Sequence, residues 1–83
     1  MPRKPAQIDE DGFELVENSS NVHSHKFDSE RDVITLRFHN GTAYEYPNCS
    51  DKLYADLKAA ASVGSFVAKQ LRPRPYVQIA DWK

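Results

Sequence analysis

Six side chains in the sequence have the chemistry needed to bind a nucleic acid. The segment 69–76, KQLRPRPY, combines three cations with a tyrosine, and two prolines stiffen its backbone. Arginine binds phosphate in a bidentate manner and stacks on bases, and a tyrosine ring can stack on an unpaired base. Tyr44 and Tyr46, two positions apart in TAYEYP, would add two more rings. The candidate nucleic-acid-binding residues are Lys69, Arg72, Arg74, Tyr76, Tyr44 and Tyr46.

Each of these groups also has a purely structural interpretation. On a strand Tyr44 and Tyr46 share one face, which is either core or a platform for bases. A two-residue Asn40–Gly41 turn would place Tyr44 opposite Arg37, away from the apolar side of the preceding strand, whereas a bulge or a one-residue slip would turn both rings inward. The core interpretation is slightly favoured. For the basic segment, a solvated loop with ion pairs is the favoured alternative, because three cations form a modest footprint.

Catalytic and metal chemistry has little support in the sequence. His23 and His25 would share one strand face, but no third ligand has a suitable spacing, and Cys49 is interpreted as a small buried thiol. Ser62 has no flanking glycine pair and no base beside it, so a helix cap or turn is the better interpretation. The three glycines are scattered, which argues against a phosphate-binding loop. We therefore predict a non-enzymatic protein without a metal or another cofactor.

The first 17 residues differ in composition from the rest of the chain. They contain five carboxylates and two cations, with a few apolar residues among them. We predict a flexible acidic arm over 1–17 and a domain over 18–83. Apolar anchors between carboxylates can dock on a basic protein surface, and FELV could form a short strand or a docking segment. The candidate protein-binding residues of the arm are Asp9, Glu10, Asp11, Phe13 and Leu15.

Size and composition indicate one small cytoplasmic domain. The chain has 83 residues, a net charge of -1 and a single cysteine, so no internal disulfide can form. No signal peptide or membrane span is recognisable. The small net charge conceals an acidic start and a basic end, since residues 66–83 carry four cations and one carboxylate. Net charge therefore neither requires nor excludes a polyanionic partner.

Apolar periodicity predicts an α+β domain that begins with a β-meander. NVHSHKF and VITLRFH alternate as strands do, and TAYEY follows the Asn40–Gly41 turn as the third strand of an antiparallel meander. Helical spacing then predicts a first helix from about Asp51 to Ala61, with Ser50 as its N-cap. SFVAKQLR can form a second short helix that ends before the next proline. The alternation in YVQI permits a short C-terminal strand.

Several short motifs follow one another in a characteristic order. They are a serine pair with an apolar residue at Ser19, Ser20 and Val22, a turn at Gly41, Y-x-Y at 44–46, Y-x-x-L at 54–57, A-x-S-x-G at 60–64, Phe66, and a basic proline-bearing end at 72–76. In this order the chain resembles the KTSC domain over residues 19–76. It departs from that pattern at Val67 and Ala68, where the family often has an asparagine.

The resemblance implies a small domain named after the C-terminal segment of some lysyl-tRNA synthetases and also found as free-standing proteins in bacteria and phages. That association suggests RNA binding, although association alone does not establish function. Two hypotheses follow. The first is a module that binds RNA or single-stranded nucleic acid through the basic segment and the tyrosines. The second is a protein-interaction adaptor or regulator, of bacterial or phage origin, that acts through the acidic arm and a sheet edge.

Overall fold

Five strands pair antiparallel in the order in which they occur along the chain. The computed structural model describes residues 7–17 and 19–83. The strands are β1 (Glu14–Leu15), β2 (Val22–Asp28), β3 (Val33–Phe38), β4 (Ala43–Tyr46) and β5 (Val77–Ile79). The predicted three-stranded meander is confirmed as β2, β3 and β4, and the short C-terminal strand is confirmed as β5. β1 is an additional edge strand.

Two short helices lie between β4 and β5. Helix α1 covers Asp51–Ala59, and helix α2 covers Val63–Phe66 and continues as a π-helical turn over Val67–Leu71. The Arg72 N–H donates to the Val67 carbonyl oxygen at 2.9 Å, which closes the wider turn. Across residues 7–17 and 19–83, no helix has the length and apolar character needed to cross a membrane.

Serine side chains cap both helices, as predicted. Ser50 Oγ accepts a hydrogen bond from the Leu53 N–H at 3.1 Å, and Ser62 Oγ accepts one from the Ser65 N–H at 3.2 Å. Ala60 has an extended backbone with ψ 137°, so α1 ends slightly earlier than predicted. This break separates the two helices and leaves Ser62 in position to begin the second one.

The apolar core lies between one face of the sheet and the two helices. Ile34, Leu36 and Tyr46 project from β3 and β4 toward this side, where Leu57 and Leu71 cover them. Each of these five side chains is at most 3% exposed. Burying one such aliphatic side chain contributes roughly 1.5–3 kcal/mol, so this contact is the main source of stability. We call this side of the sheet the helix face.

The turn between β3 and β4 differs from the predicted two-residue turn. The Gly41 N–H donates to the Phe38 carbonyl oxygen at 3.0 Å, and the Phe38 N–H donates to the Thr42 carbonyl oxygen at 2.9 Å. Residues 39–41 therefore form a three-residue loop, and Gly41 takes the positive φ of 96° that its bulge requires.

The longer loop changes the strand register by one residue. Tyr44 pairs with Leu36 and Tyr46 pairs with Ile34, so the predicted pairing of Tyr44 with Arg37 is wrong. Both tyrosines therefore lie on the helix face, as the favoured core interpretation required.

A bulge in β2 separates the two neighbouring histidines. Val22 pairs with Phe38 and Ser24 pairs with Arg37, so His23 is the extra residue. Because the bulge restarts the alternation, His25 lies on the helix face with Leu36, whereas the His23 ring lies on the other side. The expectation that the two histidines share a face is wrong.

The opposite face of the sheet is organised around Arg37, and we call it the Arg37 face. The guanidinium carbon of Arg37 lies 3.6 Å from the centroid of the Phe13 ring, and its two terminal nitrogens donate to Asp9 Oδ2 at 2.9 Å and Asp11 Oδ2 at 3.1 Å. Residues 7–17 of the predicted flexible arm thus pack on the sheet, and the alternative of a strand within FELV is confirmed by β1. Residues 1–6 of that arm lie outside the described residues.

Replacing Gly41 by alanine tests the loop that sets this register. L-alanine at φ 96° is strained, and we expect Gly41→Ala to lower the free energy of unfolding by about 1–2 kcal/mol. An added Cβ would meet no atom closer than 3.7 Å, so the cost is conformational rather than steric. Urea denaturation measures the effect.

The matched control is the chemically synthesised protein with D-alanine at position 41. It carries the same methyl group but favours positive φ, so its stability should be close to that of the glycine protein. Equal losses for the two alanine isomers would contradict the loop assignment.

Candidate nucleic-acid interface

A groove of about 480 Å³ opens between the β3–β4 turn and the second helix. Strands β2, β3 and β4 supply one wall, and α2 with its π-helical turn supplies the other. The described residues that line it are aromatic, aliphatic, neutral polar or basic, with no carboxylate among them. Those with chemistry suited to a ligand include Phe38, Asn40, Tyr44, Arg72 and Tyr76.

All three candidate tyrosines meet in this groove. The ring centroids of Tyr44 and Tyr76 are 5.3 Å apart in an edge-to-face arrangement, and those of Tyr46 and Tyr76 are 5.9 Å apart. Phe38 extends the cluster with an edge-to-face contact to Tyr44 at 5.6 Å. Aromatic pairs with such geometry hold one another in position, so the groove has a preformed aromatic wall.

The tyrosines differ in what they can offer to a ligand. Tyr76 is 55% exposed, whereas Tyr46 is 3% exposed. Burial raises the pKa of the Tyr46 hydroxyl above its usual value, so this group stays protonated at neutral pH. Tyr46 is therefore part of the core and cannot present a ring face to a base, while Tyr76 can and Tyr44, which is half-buried, presents part of its ring.

The three candidate cations occupy different positions. Arg72 lines the groove, immediately after the π-helical turn. Arg74 donates to the carbonyl oxygens of Gln70 at 3.2 Å and Asn48 at 3.4 Å, so its guanidinium is partly occupied by the protein backbone. Lys69 is exposed on the helix and does not line the groove. The groove thus brings together Arg72 and the tyrosines, whereas Lys69 and Arg74 are not among its lining residues.

A polar side chain of the β3–β4 turn completes the rim. Asn40 Oδ1 accepts hydrogen bonds from the Thr42 N–H at 3.0 Å and the Thr42 hydroxyl at 2.7 Å. These bonds assign the amide oxygen to the turn and leave the amide N–H groups as donors at the rim. Asn40 and Phe38 were not predicted as site residues. The turn motif was visible in the sequence, but only the sheet brings the turn beside the second helix.

The candidate residues of the acidic arm are mostly engaged within the protein. Asp9 and Asp11 bind Arg37, and Phe13 is buried beneath it at 8% exposure. Backbone N–H groups, first that of Phe13, hold the pKa of Asp9 below its usual value. Leu15 is half-buried on β1, and Glu10 is exposed. Phe13 is therefore closed to a partner while the arm lies on the sheet, whereas Asp11, which is 63% exposed in its side chain, stays accessible but would have to share its carboxylate with Arg37.

A buried histidine links the arm, the sheet and α1. His25 is 2% exposed, its Nδ1 is hydrogen-bonded to the Tyr54 hydroxyl at 2.9 Å, and its Nε2 lies 3.7 Å from Glu14 Oε2. Burial lowers the pKa of His25 despite the nearby Glu14 carboxylate, and Lys58 on α1 acts in the same direction as burial. Burial also raises the pKa of Tyr54 to about 12. At neutral pH both rings are therefore uncharged.

The other groups considered for metal or catalytic chemistry have structural roles. No group of three or more potential metal ligands occurs among residues 7–17 and 19–83. Cys49 is 1% exposed, and its thiol donates to the Tyr46 carbonyl oxygen at 3.2 Å. Burial raises the pKa of this thiol, which makes it a poor nucleophile. Ser62 is a helix cap, as predicted.

Comparison with known proteins agrees with this architecture. The family model described as the KTSC domain matches residues 18–76, which confirms the predicted resemblance. Among solved structures, the crystal structure of a KTSC domain protein from Yersinia pestis matches with a TM-score of 0.77 and 19% sequence identity, over 82% of this chain and 96% of that chain. At this identity the likeness shows a shared fold. No match was found among curated proteins.

The depressed pKa of His25 predicts a loss of stability in mild acid. In the unfolded chain His25 binds a proton near pH 6.5, whereas in the folded protein its pKa is lower. Protonation below pH 6.5 therefore favours the unfolded state, so the contribution of His25 to stability is complete above pH 6.5 and declines below it. This single group can change the free energy of unfolding by at most about 1.4 kcal/mol per pH unit. Urea denaturation at a series of pH values between 7.5 and 5 measures the slope.

His25→Gln should have a shallower pH dependence over this range, whatever its absolute stability. His23, whose pKa burial also lowers, stays in that variant and accounts for part of the remaining slope. A nuclear magnetic resonance titration of His25 with a midpoint at or above 6.5 would contradict the prediction.

Proposed function

The chain belongs to the KTSC domain family, and on that premise we propose that it is a non-enzymatic module that binds single-stranded nucleic acid, with RNA as the first candidate, in the groove beside Arg72. The observation that supports this proposal most directly is the joint placement of Arg72, Tyr44 and Tyr76 along one groove whose described lining contains no carboxylate. An aromatic surface beside a cation is suited to a ligand with both a planar ring and a negative charge.

Each groove residue has a distinct role in this proposal. An unpaired base stacks on the exposed ring of Tyr76, which Tyr44 supports from the side at 5.3 Å. Stacking of this kind contributes about 1–3 kcal/mol per base and tolerates any base. The guanidinium of Arg72 binds the adjoining phosphate, and Lys69 and Arg74 add attraction along the path that leaves the groove.

The groove favours a single strand over a duplex. Bases in a duplex are stacked on one another, so an aromatic side chain reaches a base face only where the bases are unpaired. The volume of about 480 Å³ lies in the range of small-ligand sites, which suits one nucleotide better than a helix. The proposed ligand is therefore a loop, a bulge or an end of an RNA.

The alternative of a protein adaptor has weaker structural support. Two carboxylates and one aromatic ring of the acidic arm already bind Arg37, so an adaptor that used them would first have to break those contacts. The free edge of β5 is short, with three residues. We keep protein binding as the second hypothesis, to be pursued if the nucleic-acid experiment is negative.

Fluorescence anisotropy with labelled single-stranded RNA, single-stranded DNA and transfer RNA at several salt concentrations tests the proposal. We expect saturable binding that weakens as salt increases. Arg72→Ala should reduce the slope of log affinity against log salt by about 0.7, the value for one phosphate contact on a single strand. Tyr76→Ala should weaken binding by about 1–3 kcal/mol and leave the slope unchanged.

Arg31→Ala is the matched control for loss of an arginine. Arg31 is 60% exposed in the side chain, belongs to the β2–β3 connection, lies near the carboxylates of Asp28 and Glu45, and is not among the residues that line the groove. The Arg31→Ala variant should bind nucleic acid with the affinity of the unmodified protein, apart from a small loss caused by the removal of one positive charge. Binding that is absent, insensitive to salt, or equally reduced by Arg31→Ala and Arg72→Ala would refute the proposed groove.

A further inference from the structure

Trp82 is the only tryptophan of the chain, and its side chain is bound to the β3–β4 turn. Its indole N–H donates to the Phe38 carbonyl oxygen at 2.9 Å, and its backbone N–H donates to the Gly41 carbonyl oxygen at 3.1 Å. The next residue, Lys83, donates from Nζ to the His39 carbonyl oxygen at 3.4 Å. Two carbonyl groups of the three-residue loop, together with that of Phe38 at the end of β3, thus accept hydrogen bonds from two consecutive residues.

The indole reaches the turn from the Arg37 face, the side of the sheet opposite the groove. Its ring lies 5.3 Å from the Arg37 guanidinium carbon and 4.3 Å from the His23 ring. Arg37 is only 13% exposed in its side chain, because Phe13 covers it from the other direction. The indole is therefore held on a surface that is itself fixed by two carboxylates.

The same turn forms part of the groove. Phe38, His39, Asn40 and Thr42 all line it, and Phe38 contacts Tyr44 within the aromatic wall. Trp82 does not line the groove. One of its hydrogen bonds goes to the backbone of Phe38, whose side chain lines the groove, and the other goes to the backbone of Gly41, which lies between the lining residues Asn40 and Thr42.

We infer that Trp82 is a positioning residue of the groove, which holds the β3–β4 turn in the geometry that presents Phe38 and Asn40 to a ligand. The effect on binding rests on the proposed function, whereas the effect on the turn does not. The indole N–H of Trp82 donates to the Phe38 carbonyl oxygen at 2.9 Å and so restricts its position. The same oxygen accepts the hydrogen bond from the Gly41 N–H that closes the loop.

Trp82 lies outside the residues that the family model matches. The family match ends at residue 76, so Trp82 and β5 both lie beyond it. The arm residues that cover Arg37 from the other side lie before the match, which starts at residue 18. Two segments from outside the matched region thus meet at Arg37, and the later one fixes a turn that belongs to the matched region.

Amide hydrogen exchange at Gly41, measured by nuclear magnetic resonance in the full chain, tests the inference without any ligand. In Trp82→Ala we expect the Gly41 N–H to exchange faster by about tenfold relative to the slowest amides of β3, the factor expected when about 1.4 kcal/mol of local stabilisation is lost. Trp82→Phe keeps a ring against Arg37 but lacks the indole donor, so the Gly41 N–H should exchange at a rate between those of the unmodified protein and Trp82→Ala. This second variant keeps the inference testable if Trp82→Ala does not fold.

Leu53→Ala is the control for a general loss of stability. Leu53 is a partly buried residue of α1 that packs on the core and does not line the groove. This variant should lower the unfolding midpoint without a selective effect at Gly41. If both Trp82 variants change Gly41 exchange no more than Leu53→Ala does, Trp82 is only a stabilising residue and the inference is wrong.

Anisotropy with single-stranded RNA completes the experiment. We expect Trp82→Ala to weaken binding by about fivefold to tenfold, the equivalent of one hydrogen bond, with Trp82→Phe in between. If the Trp82 variants exchanged the Gly41 N–H selectively faster but bound RNA with unchanged affinity, the role of Trp82 in the groove would be wrong. If the unmodified protein bound no nucleic acid, the proposed function would fail, and the exchange data would still decide whether Trp82 holds the turn.

Discussion

The register between β3 and β4 is the constraint on which the other features of this protein depend. Because side chains alternate along a strand, one residue of shift would exchange the two faces of β4. The three-residue loop sets the register at which Tyr44 and Tyr46 share a face with Leu36 and Ile34. Without it, Tyr46 would leave the core and the aromatic wall of the groove would lie on the opposite side from Arg72.

The two faces of the sheet are stabilised by different interactions. On the helix face, apolar side chains from the strands are covered by Leu57, Val67 and Leu71, and the hydrophobic effect dominates. On the Arg37 face, one guanidinium lies against an aromatic ring and donates hydrogen bonds to two carboxylates. Because the Arg37 side chain is only 13% exposed, loss of either carboxylate would leave its charge less well compensated. The arm and the region around Trp82 are therefore coupled through a single side chain.

The proposed groove joins elements that belong to both of these systems. Its aromatic wall comes from β3, β4 and Tyr76 and rests on the apolar core, and its arginine follows a π-helical turn. Single π-helical turns are uncommon in proteins and are often found at functional sites. The turn at its rim is held from the Arg37 face by Trp82. A ligand in the groove would thus contact side chains whose positions depend on packing on both sides of the sheet.

Local sequence patterns were sufficient for the order and type of the main strands and helices and for the family. Strand alternation in VITLRFH, the serine caps and the order of short motifs are properties of neighbouring residues, and each of them led to a correct prediction. Tertiary structure alone decided where the chemistry lies. A three-residue loop placed the tyrosines, a bulge separated His23 from His25, and sheet pairing put Asn40 and Trp82 beside residues distant in the chain. Such outcomes depend on one-residue differences in register and on long-range contacts, and periodicity in the sequence does not resolve either of them.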